Sequence, residues 1–253
     1  MACFTKEEYR RPSTLEGLMD HAVGLSRLPA LIKVGNSKLG QAGKRAHALL
    51  VVSGLAVHDC PGRSPGCEGC YAEGYRYMMQ ASKRHGSQWA YSYLARYDVD
   101  RLERTLRAEL SAQLASLPAG STVVMRIHEA GDFLSSDHAS MWLDIAEDFP
   151  QVTFYGYSRS WTVNGIGSVL SAMNTLPNVV IRQSLDNVAA KDAHDGAAPV
   201  AFISGSFNKR WNKREVPYNK GAVVCPEQLG GPGCADCGIC WTRPQLAVQF
   251  LRH

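Results

Sequence analysis

The sequence predicts an α/β protein, a partial or distorted β/α (TIM-like) barrel of parallel strands with cysteine-rich loops at the C-terminal strand face. Two observations carry this. Apolar runs of strand length alternate with helical stretches at the spacing of right-handed βαβ crossovers. Polar segments follow several strands directly, where such folds gather their chemistry. The 253 residues contain no internal repeat, low-complexity tract or Pro-, Gly- or Ser-rich linker, so residues 1–253 are expected to share one domain. Six or seven strand candidates are too few for a full eight-stranded barrel, and a doubly wound open sheet is the alternative.

Each element has a local reason. Ser13-Thr14-Leu15-Glu16 reads as a capping box, followed by the apolar stripe Leu15, Leu18, Met19, Ala22 and Leu25. Leu31 to Val34 is a short strand closed by Gly35-Asn36, and Ala48 to Val52 is a second. Tyr71 to Ser82 reads as helical. Leu102, Leu106, Leu110 and Leu114 recur every fourth residue, giving a helix that stops before Pro118. Thr122 to Ile127 is β-branched and apolar, hence a strand. Ser135 caps a helix that turns Met141, Trp142, Ile145, Ala146 and Phe149 inward. Strands are predicted at 152–157, 178–183, 200–204 and 222–224, with a helix over 166–176.

Composition is that of a globular chain, 45% hydrophobic and 20% charged. No apolar run is long enough to span a membrane. The N-terminus becomes charged at once, so no secretory signal is expected and a cytoplasmic address is the default. In a reducing compartment, clustered thiols serve metal or redox chemistry rather than disulfides. The net charge of +4 is matched by one window, residues 207–220, where Lys209, Arg210, Lys213, Arg214 and Lys220 face only Glu215. Basic and aromatic residues interleave there as they do at single-stranded nucleic-acid sites, although a solvated loop explains the pattern equally simply.

Seven of the eight cysteines fall in two groups; Cys3 stands apart. Cys234, Cys237 and Cys240 form a C-x2-C-x2-C run, with Cys225 upstream. A cubane cluster needs one thiolate per iron corner, so three thiols in series plus one remote thiol suit a 4Fe–4S cluster. A structural zinc prefers two CxxC pairs converging on one point, and zinc stands as the alternative metal. Cys60, Cys67 and Cys70 form a C-x6-C-x2-C loop between a strand and a helix. Three thiolates leave one iron open to a ligand, unless His58 or Asp59 supplies a fourth, or both groups share one site. One cluster or two are both compatible with the count. His128, Glu129 and Asp132 follow the Thr122–Ile127 strand and are candidate proton-transfer or ligand-holding groups; a capping role for Asp132 and a backbone bond for His128 is the plainer reading. Arg159, at the exit of the next strand, is a candidate counter-charge or anion binder.

These motifs resemble a family of bacteriophage proteins best known among mycobacteriophages. The resemblance rests on Cys60-Pro61-Gly62, on Cys67-x2-Cys70-Tyr71-Ala72, and on Arg126-Ile127-His128 through Gly131-Asp132-Phe133. It continues through Phe154-Tyr155-Gly156-Tyr157-Ser158 and Cys225-Pro226 to Cys240-Trp241, covering about Asn36 to Trp241. It implies a viral protein acting in the cytoplasm of an infected bacterial host. The layout also resembles radical S-adenosylmethionine enzymes, with a three-cysteine loop after an early strand, which implies a cluster-bearing β/α barrel and makes S-adenosylmethionine a candidate cofactor. Two departures argue against that cofactor: the loop is C-x6-C-x2-C rather than C-x3-C-x2-C, and no Gly-Gly-Glu segment follows the second strand. The functional expectation is a redox or radical-type enzyme working at the barrel mouth on a small-molecule or macromolecular substrate. The alternative is a zinc- or cluster-stabilised protein that binds nucleic acid or a host protein without catalysis.

Overall fold

The computed structural model describes residues 29–35, 41–68, 70, 72, 85–186, 198–208, 213–217, 219 and 221–252. The helix expected after Ser13 lies outside these residues, as does that over Tyr71–Ser82 apart from Ala72.

Nine strands form one sheet: β1 (Lys33–Val34), β2 (Ala48–Val51), β3 (Val123–Ile127), β4 (Val152–Ser158), β5 (Val179–Leu185), β6 (Val200–Asn208), β7 (Lys213–Glu215), β8 (Ala222–Val224) and β9 (Ala247–Arg252). The order along the sheet is β1-β2-β3-β4-β5-β6-β9-β8, with β7 paired to the outer part of β6. From β2 to β8 every neighbouring pair on this path is parallel; β1 and β7 join antiparallel. Among the described residues the sheet ends at β1 and β8 and does not close into a barrel.

Helices α1 (His85–Tyr97), α2 (Val99–Ala115), α3 (Ser136–Asp148) and α4 (Ile166–Met173) pack side by side on one face. Strand alternation explains why. Leu50, Met125, Ile127, Phe154 and Ile181 point into that helical layer, and Leu49, Val51, Val124, Tyr155 and Val180 point the other way. Strands buried on both faces read as continuous apolar runs, as in β2, where all four residues are buried. From β1 to β6 the strands follow one another in spatial order, and among the described residues the four long helices lie on one face of this mostly parallel sheet.

The local signals hold where they are strong. Leu102, Leu106 and Leu110 are buried in α2, whose first turn is capped by Asp98. Ser135 caps α3 by accepting from the His138 amide. Expected strands recur within a few residues, whereas α1, β7 and β9 were not anticipated; β9 inserts between β6 and β8.

The face opposite the helices is covered by the C-terminal cysteine segment. Two helical turns follow, α5 (Cys234–Cys237) and α6 (Ile239–Thr242), of which α6 lies against β4 and β5. The left-handed backbone of Gly238, φ +68°, makes the corner between them. Ala235 accepts amide hydrogen bonds from Arg45 and Ala46, just ahead of β2. Arg182 of β5 is wholly buried, and its guanidinium donates to the carbonyls of Cys240, Val200, Leu246 and Arg243 at 2.7–3.2 Å.

Replacing Arg182 with Met strips four part-buried carbonyls of a charged donor. We expect a loss of at least about 3 kcal/mol of stability in urea unfolding, with hydrogen exchange faster over residues 239–246. Stability within about 1 kcal/mol of wild type would show that Arg182 does not anchor this segment.

Candidate functional site

The C-terminal ends of β2, β3, β4 and β5 lie along one edge, and the polar residues that follow them meet there. The first cysteine loop starts directly beyond β2. Its base is fixed by Asp59, a buried carboxylate that accepts from the Leu55 amide at 2.6 Å, from Ser92 Oγ, and from Arg96 Nη1 at 2.5 Å. Arg96 also donates to the His58 carbonyl. Asp59 is therefore spent on holding the loop rather than standing ready as a fourth ligand.

Further along, Asp186, just past β5, accepts from Ser64 Oγ at 2.7 Å and from the Gly66 amide at 3.1 Å. Arg159, just past β4, donates to Ser64 Oγ at 2.7 Å and pairs with Asp186. A Cβ at Gly62 would sit 2.2 Å from the Arg159 carbonyl, and one at Gly66 2.0 Å from the Asp186 carboxylate, so only glycine permits this approach. Arg159 was expected to offer its charge to a cluster or an anion. Its guanidinium is instead neutralised by Asp186 and clamps the loop. Burial alone would raise the Asp186 carboxyl, but bonds from Ser64 and Gly66 and the Arg159 charge outweigh it and hold the group below its ordinary value.

The segment after β3 carries the other candidates. Asp132 is buried and accepts from Ser158 Oγ at 2.7 Å, from the Arg159 amide at 2.8 Å and from the Phe133 amide at 2.8 Å. Burial pushes its carboxyl up despite these bonds. It ties the β3 loop to the end of β4 and does not cap α3, which Ser135 does. Glu129 donates its backbone N–H to the Val52 carbonyl, and Ser53 Oγ lies 3.4 Å from its carboxylate.

His128 has a left-handed backbone, φ +58°, uncommon for a residue with a side chain. Its ring enters a buried network that the sequence did not reveal. The Leu134 amide donates to His138 Nδ1 at 3.2 Å, which leaves the proton of neutral His138 on Nε2, facing Tyr91 Oη at 2.8 Å. Trp142 Nε1 also donates to Tyr91 Oη, at 3.0 Å. With both lone pairs used, the Tyr91 hydroxyl donates to His128 Nε2 at 2.8 Å, so the His128 proton is assigned to Nδ1. Nδ1 itself is buried and has no partner among the described residues. Burial, with the neighbouring His138, lowers His128 well below the ordinary imidazole value; burial, with Arg96, lowers His138 to about 3.

The two cysteine groups have different neighbours. Burial raises the Cys60 thiol to about 12, with Asp132, Asp59 and Cys70 adding to the rise. Cys60, Cys67 and Cys70 are each half-buried at the strand ends. The second group lies under the sheet's other face, where Cys234 and Cys240 pack against Tyr155, Tyr157 and Trp241. Cys225, which follows β8, is buried and close enough to Cys240 for their charges to interact. Burial raises the Cys240 thiol, opposed by a hydrogen bond from Tyr157 and by the Arg182 and Arg126 charges. The expectation that the loops beyond the strand ends share one edge holds for Cys60, for His128, Glu129 and Asp132, and for Cys225, because β8 runs parallel to β9 and through β6 to the rest of the sheet; Cys234 and Cys240 instead pack on the face opposite the helices. Among the described residues no three His, Cys, Asp or Glu side chains converge on a single ion position. The basic window is only partly described: 213–215 form β7, and 209–212 lie outside. No helix among the described residues is long and apolar enough to cross a membrane.

Two outcomes test these networks. Asp186 contributes stability above the ordinary carboxylate value of about 3.9, and this is lost as pH falls through its lower folded value. Asp186→Asn should therefore increase proteolysis of the 60–68 loop at pH 7, whereas wild type should keep its protection down to about pH 4; equal cleavage of both proteins at pH 7 would refute the clamp. His128 and His138 titrate lower folded than unfolded, so their contribution is complete above about pH 6.5 and falls with acidification. Urea stability should decline by up to about 1.4 kcal/mol per pH unit per histidine between pH 6.5 and 5. His138→Asn should flatten that slope, and an unchanged slope would refute the assignment.

Comparison with known proteins places this arrangement in a family. Residues 30–243 match the family model described as gene product 88, which spans both cysteine groups and the strand-end residues. The gene 88 protein of Mycobacterium phage L5 is 31% identical over 128 residues, 46% of this chain and 50% of that protein. That of Mycobacterium phage D29 is 30% identical over 129 residues, with the same shares covered. The aligned part thus spans about half the length of these relatives, and no solved structure matches. With nearly the whole described fold inside the matched range, the chain belongs to the gene product 88 family of phage proteins.

Proposed function

We propose that this is an iron–sulfur protein with two separate centres. Cys225, Cys234, Cys237 and Cys240 hold a buried 4Fe–4S cluster against the sheet face opposite the helices. Cys60, Cys67 and Cys70 hold a second cluster, open at one iron, at the strand ends. The observation that supports the reading is the fourth thiol: Cys225, remote from the C-x2-C-x2-C run in sequence, is near enough to Cys240 for the two to interact electrostatically. A cluster takes one thiolate per iron, so its ligands surround several metal positions and need not converge on one.

The surroundings fit an anionic centre. A cluster with four thiolates is negatively charged, and Arg126 and Arg182 act electrostatically on Cys240. Tyr155, beside Cys234 and Cys240, has a buried hydroxyl with no partner among the described residues. Bound there, a cluster supplies single-electron transfer. At the other site, Asp59 with Arg96 and Asp186 with Arg159 fix the loop, so the polypeptide, not the metal, sets its course. Beside it, His128, Glu129 and Asp132 form the wall on which a substrate would sit, in keeping with a redox or radical-type reaction in the infected host's cytoplasm. Neither Asp132 nor Arg159 is a catalytic group in this scheme: both position backbone.

Anaerobically purified protein should carry about four irons and four sulfides per cysteine group. Replacing Cys234 and Cys237 with Ser should remove one set, and replacing Cys67 and Cys70 the other, each leaving the remaining centre visible by EPR after reduction. Zinc without inorganic sulfide would overturn the proposal in favour of a zinc-stapled fold. Loss of both sets from either double variant would overturn the separation into two centres.

A further inference from the structure

Tyr155 and Tyr157 sit two residues apart on β4 and share the face covered by α5 and α6. The Tyr155 phenol is buried and Tyr157 is half-buried, and each ring has aromatic neighbours. Trp241 packs on Tyr155 with ring centres 4.9 Å apart; Tyr157 meets Phe250 at 5.4 Å and the Arg126 guanidinium at 5.5 Å. Tyr157 donates its hydroxyl hydrogen to Cys240 sulfur. The Tyr155 hydroxyl, between the charges of Cys234 and Cys240, has no protein acceptor among the described residues. Leaving a buried hydroxyl unpaired costs about 1–3 kcal/mol, and a fold that orients it so firmly offers no local alternative. A metal-bound sulfur is an acceptor of the right kind at the right place. The same pocket holds positive charge: Arg126 acts on both phenols and on Cys240, and Arg182 acts on Cys240, with Glu129 the carboxylate felt by Tyr155.

We infer that Tyr155 and Tyr157 are outer-sphere hydrogen-bond donors to sulfur of the centre held by Cys225, Cys234, Cys237 and Cys240, and that with Arg126 and Arg182 they favour its reduced state. The inference rests on the reading of that quartet as a cluster site. Reduction adds negative charge to the cluster, and part of that charge resides on its sulfurs. A donor or cation aimed at sulfur therefore binds the reduced form more strongly than the oxidised one and raises the potential. Neither tyrosine is a ligand or an electron carrier here; each acts through the cysteine sulfurs.

The test is a redox titration of anaerobically purified full-length protein, following the EPR signal that disappears in the Cys234→Ser, Cys237→Ser variant. Tyr155→Phe and Tyr157→Phe should each keep iron and sulfide content and lower the equilibrium constant for reduction about tenfold, which is ~59 mV for one electron. Tyr91→Phe, on the opposite side of the sheet, should leave that signal's potential unchanged. In wild type, exchange into D2O should shift the iron–sulfur stretching bands of the same centre, a readout that needs no variant to fold. Full cluster content with unchanged potentials in both Phe variants and no deuterium shift would overturn the inference alone. Absence of iron and sulfide from wild type would overturn the cluster reading together with it.

Discussion

Arg182 holds the arrangement together. A guanidinium buried without a carboxylate beside it is costly, and burial lowers its affinity for the proton. What offsets the cost is geometry: planar donors meet carbonyls from Cys240, Arg243, Leu246 and Val200, which come from three separate stretches of the chain. Among the described residues α1 to α4 pack on one face of the sheet, and only the short turns α5 and α6 lie on the other. Arg182, projecting from β5 on that other side, fastens the C-terminal segment across it. The cysteine quartet is placed by the same contact, since Cys240 supplies one of the carbonyls. Closing the barrel is then unnecessary, because the face that a barrel would enclose is already covered.

At the strand ends the same problem is solved with ion pairs. The loop after β2 carries Pro61, Gly62, Pro65 and Gly66 and forms a 3-10 turn at Pro65–Cys67. It is held instead by Asp59 to Arg96 at its base and by Ser64 and Gly66 to Asp186 and Arg159 at its tip. These contacts join it to α1 and to the ends of β4 and β5, three elements remote in sequence. His128 adds backbone strain on the adjoining segment, stabilised by the Tyr91 network and by the amide bonds of Glu129 and Asp132 to the β2 loop. Strain and buried polar groups concentrate at the strand ends and in the Tyr91, His138 and Trp142 network of the adjoining helices.

How much of this was legible depends on the range of the interaction. α2 and α3 were readable because Leu102, Leu106 and Leu110, and Met141, Trp142 and Ile145, repeat at helical spacing. α1 was not, because the residues it buries include Gln88, Tyr91 and Ser92, whose partners lie elsewhere in the chain. β9 was hidden by a buried glutamine at its centre: Gln249 bonds to the Ser204 and Pro217 carbonyls and to Asn219, so it reads as polar while sitting in the sheet. The cysteines and the strand-end positions of His128, Glu129, Asp132 and Arg159 were visible as local motifs. Their roles were not, since Arg159 is assigned by Asp186, Asp132 by Ser158 and His128 by Tyr91. The signal available for that last network was a histidine, His138, on the core-facing side of α3.

The two cysteine groups differ in a way that bears on how they would work together. The inner quartet is covered by Trp241, Tyr155 and Tyr157 and meets two guanidiniums; the outer trio is half-buried and has Asp59 and Asp132 as its acidic neighbours. Positive surroundings favour the reduced form of an anionic centre, and negative surroundings favour the oxidised form. An electron shared between them would therefore reside on the inner centre, and delivering it outward requires the outer environment to change. Binding of a cationic or proton-donating group at the open position beside Asp132 would supply that change, because it would offset the carboxylates that disfavour added charge. On the two-centre proposal, the sheet would separate a protected store of electrons from a site whose affinity for them depends on what it binds.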